Sequence, residues 1–124
     1  MKTKTILYAL TIVATASLMS FAKTASAETL TATVTAFNTV AAQTDSNPCE
    51  AASGDNICGR RDVVACPRRV PLGTWVKIKG KRYECLDRTA KKHDGRFDIS
   101  FDKDIQAAKK WGIPRVKVTI LWDS

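Results

Sequence analysis

Two aspartates eleven residues apart, Asp87 and Asp98, are the side chains of this sequence best placed to do chemistry. Carboxyl groups serve as general acids and bases when their surroundings let them hold a proton near neutral pH. Asp87 closes the run Tyr83-Glu84-Cys85-Leu86, and Asp98 lies inside Arg96-Phe97-Asp98-Ile99-Ser100. The stretch 86–101 reads as a strand end, a polar turn and the start of a second strand. On an extended segment Phe97, Ile99 and Phe101 share one face, which leaves Asp98 and Ser100 on the other. A carboxylate between aromatic neighbours needs a reason. One is an ion pair to Arg88 or Arg96, or a cap on local backbone; the other is a site. Ser100 has no His and Asp around it in the manner of a triad, so serine-hydrolase chemistry is not expected.

The elements that must hold these residues are mostly strands. Thr29 to Phe37 alternates Leu30, Ala32, Val34 and Ala36 against a row of threonines, the period of a half-buried strand. Residues 38–61 are irregular, with Asn47-Pro48, Ser53-Gly54-Asp55-Asn56 and Gly59 supplying turn chemistry. A loop of that length in a small domain has a job or a tether. Val63-Val64-Ala65 is a short apolar strand ended by Cys66-Pro67. Val70-Pro71-Leu72-Gly73-Thr74 is a turn feeding an alternating strand over 75–79, and Gly80-Lys81 makes a tight hairpin into Arg82 to Leu86. The spacing predicts one helix over 102–111, with Asp102 as its amino-terminal cap, Ile105, Ala108 and Trp111 on one face, and Gly112 and Pro114 ending it. A last strand runs over 115–122. Six strands and one helix between the last two suggest a small closed barrel.

Length and composition bound the rest. Residues 1–27 are expected to be a secretory signal peptide: Lys2 and Lys4 precede an apolar run over 6–22, and Ala25-Ser26-Ala27 is a small-x-small cleavage site before Glu28. The domain is then 28–124, secreted to a periplasm or the extracellular wall, with no stable membrane span after signal removal. It is small enough for its core to need staples. Loss of Lys2, Lys4 and Lys23 lowers the formal charge from +8 to +5, which suits anionic surfaces. No nucleic-acid motif is present, and nucleic acid is not expected as a partner. Four cysteines in a short exported chain argue for two disulfides. Three pairings are possible; Cys49–Cys58, closing a loop, and Cys66–Cys85, tying two strands, are preferred. Zinc is disfavoured because no C-x-x-C pair is present and His93 stands alone. No metal or cofactor is expected.

Val64-Ala65-Cys66-Pro67, Val70-Pro71-Leu72-Gly73-Thr74, Leu86-Asp87-Arg88, Arg96-Phe97-Asp98-Ile99-Ser100 and a helix ending at Gly112 follow one another in an order that resembles the double-psi β-barrel group. The nearest likeness is to the three-aspartate domain of bacterial cell-wall hydrolases and to rare-lipoprotein-A-like proteins. The barrel of membrane-bound lytic transglycosylase A and the expansins are more distant. The resemblance runs from about Thr31 to Leu121. It implies a six-stranded double-psi barrel, a monomer acting on peptidoglycan or another cell-wall glycan, with Asp98 as catalytic acid/base and Asp87 beside it in a groove. Two departures stand out. Cys66 occupies the position of one of the three family aspartates, and the small, Gly-rich turn after the first aspartate is replaced by Arg88-Thr89-Ala90-Lys91-Lys92.

Lytic cleavage breaks the bond after N-acetylmuramic acid without water and closes a 1,6-anhydro ring. One carboxyl can serve both steps, protonating the leaving oxygen and then accepting the C6 hydroxyl proton, provided its pKa rises to about 6–7. Desolvation and the like charge of Asp87 would raise it; Arg88 or Arg96 close by would lower it. Thr35, Asn38, Arg88, His93 and Arg96 are the candidate substrate-binding residues. Trp75 and Trp122 are expected in core or lid more than in sugar stacking. The alternative function is a non-catalytic, expansin-like wall-binding module.

Overall fold

Val34, Val64, Val76, Phe97, Ile99, Val118 and Ile120 recur at every second position of their strands, and all are buried. That alternation rolls the sheet around one apolar interior. The structure, a computed structural model, describes residues 26–43 and 46–124. Its strands are β1 (Ala27–Phe37), β2 (Val63–Cys66), β3 (Trp75–Ile78), β4 (Lys81–Arg88), β5 (Phe97–Ser100) and β6 (Arg115–Leu121). They close into a barrel in the order β1-β5-β2-β4-β3-β6. The pairs β1–β5 and β2–β4 are parallel, and the other four are antiparallel. One helix, α1 (Ile105–Trp111), precedes the last strand. The mainly β, six-stranded closed barrel expected from the periodicity is therefore present.

Both preferred disulfides are formed. Cys66–Cys85 joins β2 to β4 inside the barrel, where both residues are buried, and Cys49–Cys58 closes a loop outside it. That loop covers a second apolar cluster of Ala51, Ile57, Val63 and Leu86, with Phe37 packed against it. Loop 38–61 thus has a tether and a small core of its own.

Several boundaries differ from the sequence reading. The strand pairing extends β1 back to Ala27, opposite Leu121, and β6 stops there, before Trp122. The rest of the predicted signal peptide, residues 1–25, lies outside the described residues. The β3–β4 hairpin turns on Lys79-Gly80, not Gly80-Lys81; both have positive φ (49° and 78°), as a tight hairpin turn requires. The cap of α1 is Asp104, whose carboxylate accepts from Ala107 N at 3.0 Å. Asp102 instead takes a φ of 49° and accepts from Thr39 Oγ1 (2.7 Å) and Gly59 N (3.1 Å), which ties loop 38–61 to the β5–α1 connection. Between β4 and β5 the polar turn contains a short 3₁₀ segment, Lys91–His93. No helix among the described residues is long and apolar enough to cross a membrane.

Candidate functional site

Strand register alone lines up four residues across one half of the barrel. Thr35 of β1 is opposite Asp98 of β5, Asp98 is opposite Ala65 of β2, and Ala65 is opposite Asp87 of β4. The last pairing depends on an irregularity between Val64 and Ala65. There the register passes from Cys85 directly to Asp87 and leaves Leu86 as an extra residue over the second apolar cluster. Bulges of this kind re-aim side chains. Here the result sets both carboxyls along the same cleft, on strands two spacings apart, or roughly 9–10 Å.

The cleft encloses about 590 Å³, with Asp98, Asp87, Ala65 and Arg88 on its strand side. Its opposite wall is loop 38–61, through Gln43, Asn47, Pro48, Glu50, Ala51 and Ala52. Asp87 holds that wall in place, because its Oδ1 accepts from Ala52 N at 3.0 Å as well as from Arg88 N at 2.9 Å. Backbone supports the same seam, with Ser53 N donating to Leu86 O at 3.0 Å.

Asp98 is half-buried, and its carboxylate accepts from Thr35 Oγ1 at 2.9 Å. Neither Arg88 nor Arg96 pairs with it. The Arg88 guanidinium turns away and donates to Pro67 O (2.9 Å) and Val70 O (2.5 Å), which secures the β2–β3 connection. Burial in the cleft floor pushes the Asp98 carboxyl up to about 6; the Thr35 hydroxyl opposes this and the nearby charge of Asp87 adds to it. At pH 7 a group with that value is protonated roughly a tenth of the time, against less than about a thousandth at the ordinary carboxylate value.

No family model and no curated protein matches this chain. The reading of the site therefore rests on its own geometry and on sequence resemblance.

Of the candidates, Asp98, Asp87 and Arg88 line the cleft, and Thr35 reaches it only through its hydrogen bond to Asp98. Three other candidates also lie outside the lining. Asn38 is buried, donates to Asp102 O and accepts from Gln43 Nε2, so it supports the cleft wall from behind. His93 and Arg96 lie on the turn between β4 and β5, outside the cleft. Partial desolvation, then the charges of Arg96 and Lys92, keep the His93 imidazole below its usual value. Trp122 and Trp75 carry Arg69 and Arg82 over their rings, at 5.6 and 5.0 Å from the centroids.

The sequence reading missed the loop's contribution. Gln43, Asn47 and Glu50 line the cleft, and the only signal for them was the length of the irregular segment. It also missed Thr89. That residue is 6% exposed and lines the cleft, and its Oγ1 is the one buried side-chain polar atom without a hydrogen-bond partner among the described residues. Among those residues no group of His, Cys, Asp or Glu is arranged to hold a metal ion.

Proposed function

We propose that this protein is a secreted, lytic-transglycosylase-like enzyme that cleaves the glycan strands of peptidoglycan, with Asp98 as acid and then base. One observation carries the reading: Asp98 is a half-buried carboxyl with no cation beside it, held near a pKa of about 6 in an open cleft. In its protonated form it gives its proton to the glycosidic oxygen as the C1–O bond breaks. The resulting carboxylate takes the proton of the muramic acid C6 hydroxyl as that oxygen closes on C1. No water is consumed, and the carboxyl returns to its starting state. Asp87 keeps the loop wall in place, and its negative charge adds to burial in raising the Asp98 pKa and favours a cationic glycosyl centre. The two parallel strand pairs in a six-stranded closed barrel support the double-psi resemblance on which the substrate class rests. Two disulfides in so short a chain support an oxidising, extracytoplasmic location.

A second reading has its own support. Cys66, at the position of a family aspartate, is buried and bonded to Cys85, so the third carboxylate is replaced by a staple inside the barrel. That favours a wall-binding module that cuts nothing. Digestion of purified sacculi with the oxidised domain, followed by mass spectrometry, separates the two. The enzyme releases 1,6-anhydro muropeptides and Asp98→Asn does not. Wild type that pellets with sacculi and releases no product is a binder, and activity that survives in Asp98→Asn removes Asp98 from the acid role.

A further inference from the structure

The half of the barrel away from the cleft carries a second feature. In the outward register of β4, β3, β6 and β1, Arg82 is opposite Lys77, Lys77 is opposite Thr119, and Thr119 is opposite Thr29. Lys117 and Arg115 continue along β6, opposite Thr31 and Thr33. Lys77, Arg82, Arg115 and Lys117 are all exposed. Neither β3 nor β6 contributes a residue to the cleft.

Scattered lysines are most often a solvated face, but this arrangement is fixed by hydrogen-bonded register. Like charges directly opposite one another across strands destabilise a sheet, and Lys77 and Arg82 are such a pair. The acids that would relieve them are engaged elsewhere. The described ion pairs use Arg60, Arg61, Arg68 and Arg69 as cations and none of these four. Glu84, the only acid in the same outward register, is held by Arg60 at 3.0 Å. Four cations therefore run across three adjacent strands, with threonine hydroxyls beside them. Arg82 to Lys77 is one strand spacing, roughly 5 Å, Lys77 to Lys117 is a diagonal of roughly 8 Å, and Lys117 to Arg115 is two residues along β6, roughly 7 Å.

We propose that this strip is a docking surface for a linear, base-free polymer bearing phosphate groups, separate from the catalytic cleft and occupied at the same time. Arginine and lysine suit phosphate oxygens, and a row of them suits successive charges on one chain. Nucleic acid fits less well, because Arg82 covers Trp75 and leaves no free ring on the strip for base stacking. A bilayer fits less well too: Trp75 and Leu121, the large apolar side chains in this register, are half-buried and present nothing to insert. Docking here would hold the protein at an anionic wall polymer while the opposite half of the barrel works on glycan.

The test is titration of the oxidised domain with inorganic polyphosphate of defined length at low and moderate salt. Wild type binds, with affinity that falls as salt rises. Exchanging Lys77, Arg82 and Lys117 together for Gln weakens binding at least about tenfold. An equal charge change elsewhere, Lys91, Lys92 and Lys103 to Gln, changes it less than about twofold. Asp98→Asn leaves binding intact, so this result does not depend on the cleft's activity. The proposal is overturned by equal losses in the two triple variants, by no binding to polyphosphate, or by tighter binding to double-stranded DNA, polygalacturonate or anionic vesicles.

Discussion

At the scale of single residues, Asp98 trades stability for a usable proton. Its folded-state pKa, about 6, lies above the unfolded value of 3.8. The folded protein therefore binds that proton more tightly, and the associated stability is present at acid pH and lost as pH rises through about 6. Replacing the carboxyl by an amide removes the cost of ionising it in the cleft, while the Thr35 hydroxyl still finds an oxygen to donate to. Asp98→Asn is expected to be more stable than wild type at pH 8 by on the order of 2 kcal/mol, with the difference gone below about pH 4. Urea unfolding at the two pH values measures it. Thr89 is a second case. Its buried hydroxyl lacks a partner, so Thr89→Val should raise stability by about 1 kcal/mol. If the hydroxyl serves substrate, the same change raises KM for glycan; unchanged KM with raised stability makes it a plain packing defect.

At the scale of elements, two aspartates two residues apart have different tasks. Asp104 caps α1 through Ala107 N, whereas Asp102 ties loop 38–61 to the β5–α1 connection through Thr39 and Gly59. Asp104→Ala is expected to cost about 1 kcal/mol. Asp102→Ala is expected to cost about 1–3 kcal/mol and to raise amide exchange in the loop that walls the cleft. Equal exchange in the two variants would mean that the tether is not what holds the loop. The sequence placed the cap at Asp102 because both residues suit that role, and only the positive φ at Asp102 separates them. The strands were legible because alternation of Val34, Ile99 or Ile120 with polar neighbours records which face is buried. Asp98 was legible for the same reason, whereas Asp87 was set beside it only by the family resemblance, because the irregularity at Leu86 breaks the alternation of β4. The loop wall was not legible, since Gln43, Asn47 and Glu50 have no period. Nor was the turning away of Arg88, which depends on the carbonyls of Pro67 and Val70.

At the scale of the whole molecule, the barrel divides its outer surface between two features. The half formed by β1, β5, β2 and β4 carries the acid cleft, and the half formed by β4, β3, β6 and β1 carries the basic strip. Closure of the sheet lets β1 serve both, pairing with β6 along its first seven residues and with β5 along its last four. Closure also sets β5 between two strands beneath loop 38–61, which leaves Asp98 half out of water, while the carbonyls of Pro67 and Val70 keep the Arg88 guanidinium from pairing with it. That environment is the central claim, and a carbon-detected NMR titration of the Asp98 carboxyl in the oxidised domain tests it most directly. A midpoint near 6 is expected, falling back toward the ordinary carboxylate value if loop 38–61 is released by Cys49→Ser with Cys58→Ser. A midpoint at or below about 4 in the intact protein would mean an ionised, well-solvated or ion-paired aspartate, and would contradict both the geometry described for the cleft and the acid role built on it.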